Sequence, residues 1–144
     1  TAIIQTMTPE NHIIRLAQQQ DYISFYENEV IIRKAMLYPP YCDLCSVCFT
    51  SEKESNALLC SKEFLSELRR ITAEKYKNQK IIVLGPMPPR ISKINNKYRY
   101  RIIIKCKNSR DFRNMISELL ILFGKNQKFR DVTVSADINP ESLN

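Results

Sequence analysis

The chain has 144 residues, about one compact domain, with 44% hydrophobic residues and a formal net charge of +7, so it can bury a core and its surface suits an anionic partner. No run of eighteen apolar residues occurs, which excludes a membrane-spanning helix. The opening Thr1-Ala2-Ile3-Ile4-Gln5-Thr6 has no basic n-region and does not look like a secretory signal, and without an initiating Met it reads as the start of a piece cut from something larger.

Ala2 to Thr6 is β-prone and predicts a short strand. Thr8-Pro9-Glu10 can open a helix with Pro in its first position. Ile13, Leu16, Ala17, Tyr22, Phe25, Tyr26, Val30, Ala35 and Leu37 then keep helical spacing, with Asp21 able to restart the helix partway. Pro39-Pro40 ends it, because the residue before a proline avoids helical angles. Tyr41 to Thr50, rich in β-branched, aromatic and Cys residues, predicts a strand. Ser51-Glu52-Lys53-Glu54 has the form of a capping box for a helix burying Ala57, Cys60, Phe64, Leu68 and Ile71.

Ile81 to Leu84 predicts a strand closed by Gly85-Pro86, and Ile91 to Asn96 a connecting loop. Lys97 to Lys105 alternates as a strand. Asn108-Ser109-Arg110-Asp111 caps a helix whose Phe112, Met115, Ile116, Leu119, Leu122 and Phe123 share one side, and Gly124 is expected to end it in the left-handed conformation. Val132 to Ile138 is the last strand. From Tyr41 the order is β-α-β-β-α-β, an α+β ferredoxin-like arrangement with two helices on one face of an antiparallel sheet, preceded by the short strand and the long helix. Two segments follow, 1–40 and 41–144.

The chemistry-bearing residues are unevenly spread. Between Lys75 and Arg110 there is no acidic residue but eleven basic ones, the electrostatic footprint of a phosphate-binding surface. On the strand from Lys97, the cations Lys97, Arg99, Arg101 and Lys105 fall on one face, and Tyr98, Tyr100, Ile102 and Ile104 on the other. Arg90 and Lys93 extend the basic row into the loop. No Gly-rich Walker loop is present, with Gly85 and Gly124 the only glycines, and His12 is the one histidine, so nothing here assembles a nucleotide site or a nucleophile–base pair and the chain is expected to be non-catalytic. Five cysteines, Cys42, Cys45, Cys48, Cys60 and Cys106, are an odd set that fits a reduced, cytoplasmic compartment. Cys42, Cys45 and Cys48 have metal-like spacing, but on a strand Cys45 points away from the other two, so no metal is expected.

Several stretches together resemble the primosomal protein N-prime family of replication-restart helicases, in its C-terminal region. They are Ile3-Ile4-Gln5-Thr6 with Pro9-Glu10; Asp21-Tyr22, Phe25, Glu29, Arg33 and Tyr38-Pro39-Pro40-Tyr41; Leu84-Gly85-Pro86-Met87-Pro88; Tyr98-Arg99-Tyr100; Ser109-Arg110; and Asp137-Ile138-Asn139-Pro140. The family usually has Asp where this chain has Asn139.

The resemblance implies a parent that is an ATP-dependent 3′-to-5′ DNA helicase using Mg and carrying zinc upstream, with no cofactor in this segment. It implies that residues 1–40 end the second helicase lobe and its linking helix. Residues 41–144 would form a domain with the fold of a small-subunit ribosomal protein. That domain would contact single-stranded or forked DNA, other primosome proteins and the acidic tail of single-stranded-DNA-binding protein.

Arg110 and Asn114 match the positions that grip the tail's terminal carboxylate, Asn114 standing for a Gln, and Arg113 adds a second guanidinium at the same helix start. A stand-alone RNA-binding domain is the alternative reading, although the strand lacks the Gly-aromatic pattern of an RNA-recognition motif. A structural brace for the helicase lobes is another.

Overall fold

A computed structural model describes residues 2–141, which separate into two compact units, Thr1–Leu37 and Tyr38–Asn144. In the first unit the expected long helix is two helices, α1 (His12–Gln19) and α2 (Tyr22–Ala35). Local capping explains the break. Gln20 takes the left-handed conformation with φ 55°. The carboxylate of Asp21 then accepts from the Ser24 amide at 3.0 Å and the Ser24 hydroxyl at 2.7 Å. Those two bonds satisfy the start of α2 and hold the Asp21 carboxyl below its ordinary range. Helix α1 begins after Asn11, whose side chain accepts from the Ile13 amide at 2.9 Å, and not at Pro9. The strand expected at 2–6 does not form. Among the described residues no neighbouring strand pairs with it, and an extended segment without a ladder has little to hold it.

The second unit is a single antiparallel sheet covered on one face by two helices. Its elements are β1 (Asp43–Ser51), α3 (Glu54–Glu74), β2 (Ile82–Met87), β3 (Lys93–Ile94), β4 (Lys97–Cys106), α4 (Arg110–Gly124), a 3₁₀ turn at Gln127–Phe129, and β5 (Thr133–Ile138). The strand order β2-β4-β1-β5, with β3 as a short extension on β4, is the ferredoxin-like order that the β-α-β-β-α-β sequence predicts. Alternation along β1 and β4 sends Cys45, Val47, Phe49, Ile102 and Ile104 into the core, where they meet Ala57, Cys60, Phe64, Leu68 and Ile71 of α3 and Phe112, Met115, Ile116 and Leu119 of α4. Aromatic rings knit the layers: Phe64 lies 5.2 Å from Phe49 and 5.2 Å from Phe123, and Phe123 stacks on Phe129.

Four local expectations are corrected. Ser51 is the last residue of β1 and does not cap α3, whose N-cap, Lys53, makes no side-chain cap bond. The Ser51 hydroxyl accepts from the Lys53 amide, and Glu54 instead accepts from the Tyr100 hydroxyl at 3.0 Å. Strand β2 continues through Gly85-Pro86 by means of a register shift between Leu84 and Met87. Leu122 is 47% exposed, because the buried stripe of α4 is 112, 115, 116, 119 and 123, with Leu120 at its margin. Gly124 is the last residue of α4 and has no positive φ; Lys125 caps the helix in ordinary right-handed geometry.

Candidate nucleic-acid interface

The basic row is built around a hairpin where the sequence predicts only a connecting loop from Ile91 to Asn96. Asn95 and Asn96 both have positive φ, 50° and 60°, the geometry of a two-residue turn that matches strand twist, and Asn adopts it more readily than most residues. The turn pairs Ile94 with Lys97 and Lys93 with Tyr98. The Asn-Asn pair between Ile94 and Lys97 was the available signal. Directly paired residues share a face, so Lys93 and Lys97 point to opposite sides of the hairpin. The Lys93 ammonium sits 4.7 Å from the Tyr98 ring centroid, within cation–π range.

Exposure falls from the hairpin inward. Arg90, Lys93 and Lys97 are exposed, and Arg99 is half-buried, its backbone amide donating to the Ser92 carbonyl at 2.8 Å. Arg101 lies in the middle of the sheet opposite Cys48 and Met87 and is 5% exposed. Burial first, and then the neighbouring Arg99, lower its pKa from the ordinary arginine value. Lys105 is half-buried at the far end, with its ammonium 3.9 Å from the Tyr38 ring centroid. Tyr100 packs on the core margin and spends its hydroxyl on Glu54, which raises its pKa. That engagement removes it as a platform for stacked bases.

Arg110, Arg113 and Asn114 cluster at the first turns of α4. Ser109 caps the helix by accepting from the Phe112 amide at 3.0 Å, and its hydroxyl donates to Gln79 at 2.8 Å. All three residues are exposed. Arg110 and Asn114 are one turn apart on the same helix face, while Arg113 donates to the Asn108 side chain at 2.8 Å. Strand β4 has 10 residues and separates the hairpin from this cluster, a span of roughly 30 Å at about 3.3 Å per residue. The two cationic regions therefore occupy opposite ends of one sheet.

A polar knot that sequence reasoning missed stabilises the α4 end. Asp43, at the start of β1, accepts from the Asn108 amide at 2.7 Å and from the Asn139 side chain at 2.9 Å. Asn139 has φ 54°, accepts from the Leu44 amide at 3.0 Å, and donates its own amide to the Leu44 carbonyl. The amide of Asn139 can donate to Asp43, which a carboxylate in its place could not. The partners are separated by up to 96 positions, so no local pattern announces them. The Asn108 amide first, and then the Asn139 side chain, hold the Asp43 carboxyl below its ordinary range. A depressed carboxyl contributes stability above its ordinary value and loses it as pH falls through the folded-state value. Asp43→Ala is expected to destabilise the chain by about 1–2 kcal/mol at neutral pH, in line with the loss of a charged hydrogen-bond acceptor. That difference should begin to shrink below the ordinary carboxyl value of about 4 and vanish once the pH falls through the lower folded-state value. Thermal unfolding of both proteins across acid pH checks it; a difference independent of pH would contradict this account.

The cysteines have no convergent arrangement. Cys45 and Cys106 are buried, and burial pushes both thiols up to about 12, far from the thiolate a metal needs. Cys48 lies on the opposite sheet face, paired with Arg101 and Ser135. Among the described residues no group of three or more His, Cys, Asp or Glu side chains could hold a metal ion, and no helix is long and apolar enough to cross a membrane.

Fold and surface together define a class: a small ferredoxin-like α+β domain with a cationic hairpin at one end of its sheet and a cationic helix start at the other. Residues 34–141 match the family described as "Primosomal protein N C-terminal domain", and the chain belongs to that family. It is 30% identical over 138 residues to the replication restart protein PriA of Bacillus subtilis (strain 168), an alignment covering 96% of this chain and 16% of that protein. It is 38% identical over 110 residues to the protein of the same name from Thermotoga maritima, covering 74% of this chain and 13% of that one. The PriA of Borreliella burgdorferi is 34% identical over 106 residues, covering 74% and 15%. The chain thus spans about a sixth or less of the length of these relatives. Among solved structures, a de novo designed protein with a ferredoxin fold superposes with a TM-score of 0.48 at 17% identity, covering 69% of this chain and 86% of that one.

Proposed function

We propose that the chain is the binding module of a replication-restart protein, holding single-stranded or forked DNA at the β3–β4 hairpin and an acidic protein tail at the start of α4. Family membership supports the restart role. The observation that carries the DNA reading is the exposed set Arg90, Lys93 and Lys97 around one turn, with Arg99 behind it. These cations face both sides of the hairpin, so a phosphate backbone can pass around it without any base being read. Arg101 and Lys105, on the same strand face, lie further from solvent and contribute mainly to the local positive potential. At the other end, Arg110 and Asn114 on one helix face, with Arg113 beside them, offer donors to a terminal carboxylate at the positive end of α4.

The test titrates labelled oligothymidylate into the chain over a range of salt. Changing Arg90, Lys93 and Lys97 to Gln is expected to weaken binding and to flatten the slope of log affinity against log salt by about 2, at roughly 0.7 per lost contact. An unchanged slope would remove the hairpin from the interface. Comparing oligouridylate of equal length separates a general single-strand binder from an RNA-specific one. In a second arm, an acidic peptide with a free C-terminal carboxylate should shift the NMR signals of Asn114, and Arg110→Ala or amidation of the peptide should abolish the shift. Shifts confined to the hairpin would point to nonspecific charge attraction.

A further inference from the structure

We propose that the groove at the hairpin end of the sheet, floored by Thr50 and Thr133, is a second phosphate-binding segment that receives a single strand leaving the β3–β4 hairpin. The inference rests on the reading of that hairpin as a nucleic-acid contact and extends it to residues that sequence reading did not single out. The groove forms where β1 and β4 meet the first residue of β5: Thr50 pairs with Arg99 on one side and with Thr133 on the other. Its lining carries the cations Lys53, Lys97, Lys128 and Arg130 and the acids Glu52 and Asp131.

The charges are not equally available. Lys128 is paired with Glu63. Asp131 accepts from the Asn56 side chain at 2.7 Å and from the Ser51 hydroxyl at 3.4 Å, and with these bonds and Lys53 nearby its carboxyl stays below the ordinary range. Lys53, Lys97 and Arg130 are exposed and, among the described residues, stand in no ion pair. An anion entering the groove therefore meets three cations outside any ion pair, Lys53, Lys97 and Arg130, against the two carboxylates Glu52 and Asp131, of which Asp131 is turned toward Asn56 and Ser51 and lies near Lys53. The hydroxyls of Thr50 and Thr133 can add neutral donors to phosphate oxygens.

Among the described residues no aromatic side chain lines the groove, so what it offers a single strand is charge and hydrogen bonding to the phosphate backbone, which carry no base preference. Continuity identifies the occupant. Lys97 belongs to both the hairpin and the groove, so one polyanion can run from Arg90 and Lys93, past Lys97, to Lys53 and Arg130. A second path on the same sheet face, past Arg99, Ser135 and the acidic Asp137, leads to an Arg101 that is only 5% exposed.

The experiment compares a long oligothymidylate of roughly twenty nucleotides with a short one of roughly six, the latter near the lower end of single-strand site sizes. It uses the whole chain, its Lys53→Gln/Arg130→Gln variant and its Arg90→Gln/Lys93→Gln variant. The groove variant is expected to lose affinity for the long oligonucleotide and to lower its salt slope by about 1.4, two contacts at roughly 0.7 each. Its binding of the short one should be unchanged. A long-oligonucleotide slope that survives the groove changes but falls in the hairpin variant overturns this inference and leaves the hairpin reading standing. Slopes unchanged in both variants overturn both. Equal loss for short and long oligonucleotides shows general attraction in place of a continuing path, and loss of acidic-peptide binding alone assigns the groove to a protein partner; either result also overturns it. A measurement on the unaltered protein stands independent of the variants. Acetylation of Lys53 and Lys97 should be blocked by the long oligonucleotide while exposed Lys62 on α3 remains reactive, and unprotected Lys53 would count against the groove.

Discussion

Phe64→Ala is expected to destabilise the sheet unit by about 3–5 kcal/mol, the range for truncating a fully buried aromatic ring. Phe64 is 0% exposed and joins three elements at once, reaching Phe49 of β1 from α3 and Phe123 of α4 at the same distance. Removing the ring leaves a cavity that two regular helices and a five-stranded sheet cannot easily close, so the contact loss adds to the lost transfer energy. With total stability for a domain of this kind on the order of 5–15 kcal/mol, a large share would disappear. Urea unfolding followed by far-ultraviolet circular dichroism measures it. Leu122→Ala provides the contrast: this side chain is 47% exposed, and its truncation should stay within about 0.5 kcal/mol. Similar losses at both positions would show that the buried stripe of α4 has been misplaced.

The second large effect is expected at Gly85. It has φ +101°, a conformation L side chains rarely adopt, and a Cβ there would meet the Arg101 carbonyl oxygen at 2.7 Å and the Met87 amide nitrogen at 3.0 Å. Both obstacles are backbone, so neither can swing away. Relief requires β2 to separate from β4 at the register shift between Leu84 and Met87. Gly85→Ala should therefore cost about 2–3 kcal/mol from strained backbone and lost pairing, which for a unit of this size corresponds to a fall in Tm of roughly 10–20 °C. Gly124→Ala is the matched control, since a Cβ at that position meets nothing within 4 Å and its φ is not positive. A helical Gly→Ala change there should be neutral or slightly stabilising. A loss of less than about 0.5 kcal/mol at Gly85 would mean that β2 ends before the bulge, as the Ile81–Leu84 reading had it.

Much of this molecule is readable along the chain because its signals are local. The order of elements from Tyr41 follows from apolar periodicity: Ala57, Cys60, Phe64, Leu68 and Ile71 can share a buried face only on a helix, and the Lys97–Lys105 alternation only on a strand. The same parity separates Cys45 from Cys42 and Cys48 and puts Arg99 and Arg101 on one face. The resemblance to the primosomal family likewise lies in short motifs spread along the whole chain.

What only the tertiary structure decided depends on neighbours distant in sequence. Parity places Arg101 with the cations but cannot say that Met87 and Cys48 flank it in the sheet interior, where it is 5% exposed. The Ser51–Glu54 spacing satisfies a capping rule, yet β1 claims Ser51 and Tyr100 claims Glu54, because strand pairing and a cross-layer hydrogen bond outcompete a local cap. Asp43 gathers donors from Asn108 and Asn139 that no local window contains. The groove of Lys53, Lys97 and Arg130 exists only because the sheet brings the ends of three strands together. Sequence by itself determined the family, the β-α-β-β-α-β order from Tyr41 and the sign of the surface charge. Packing decided which of the cations face water, because burial is a property of the assembled layers and not of any residue's near neighbours in the chain.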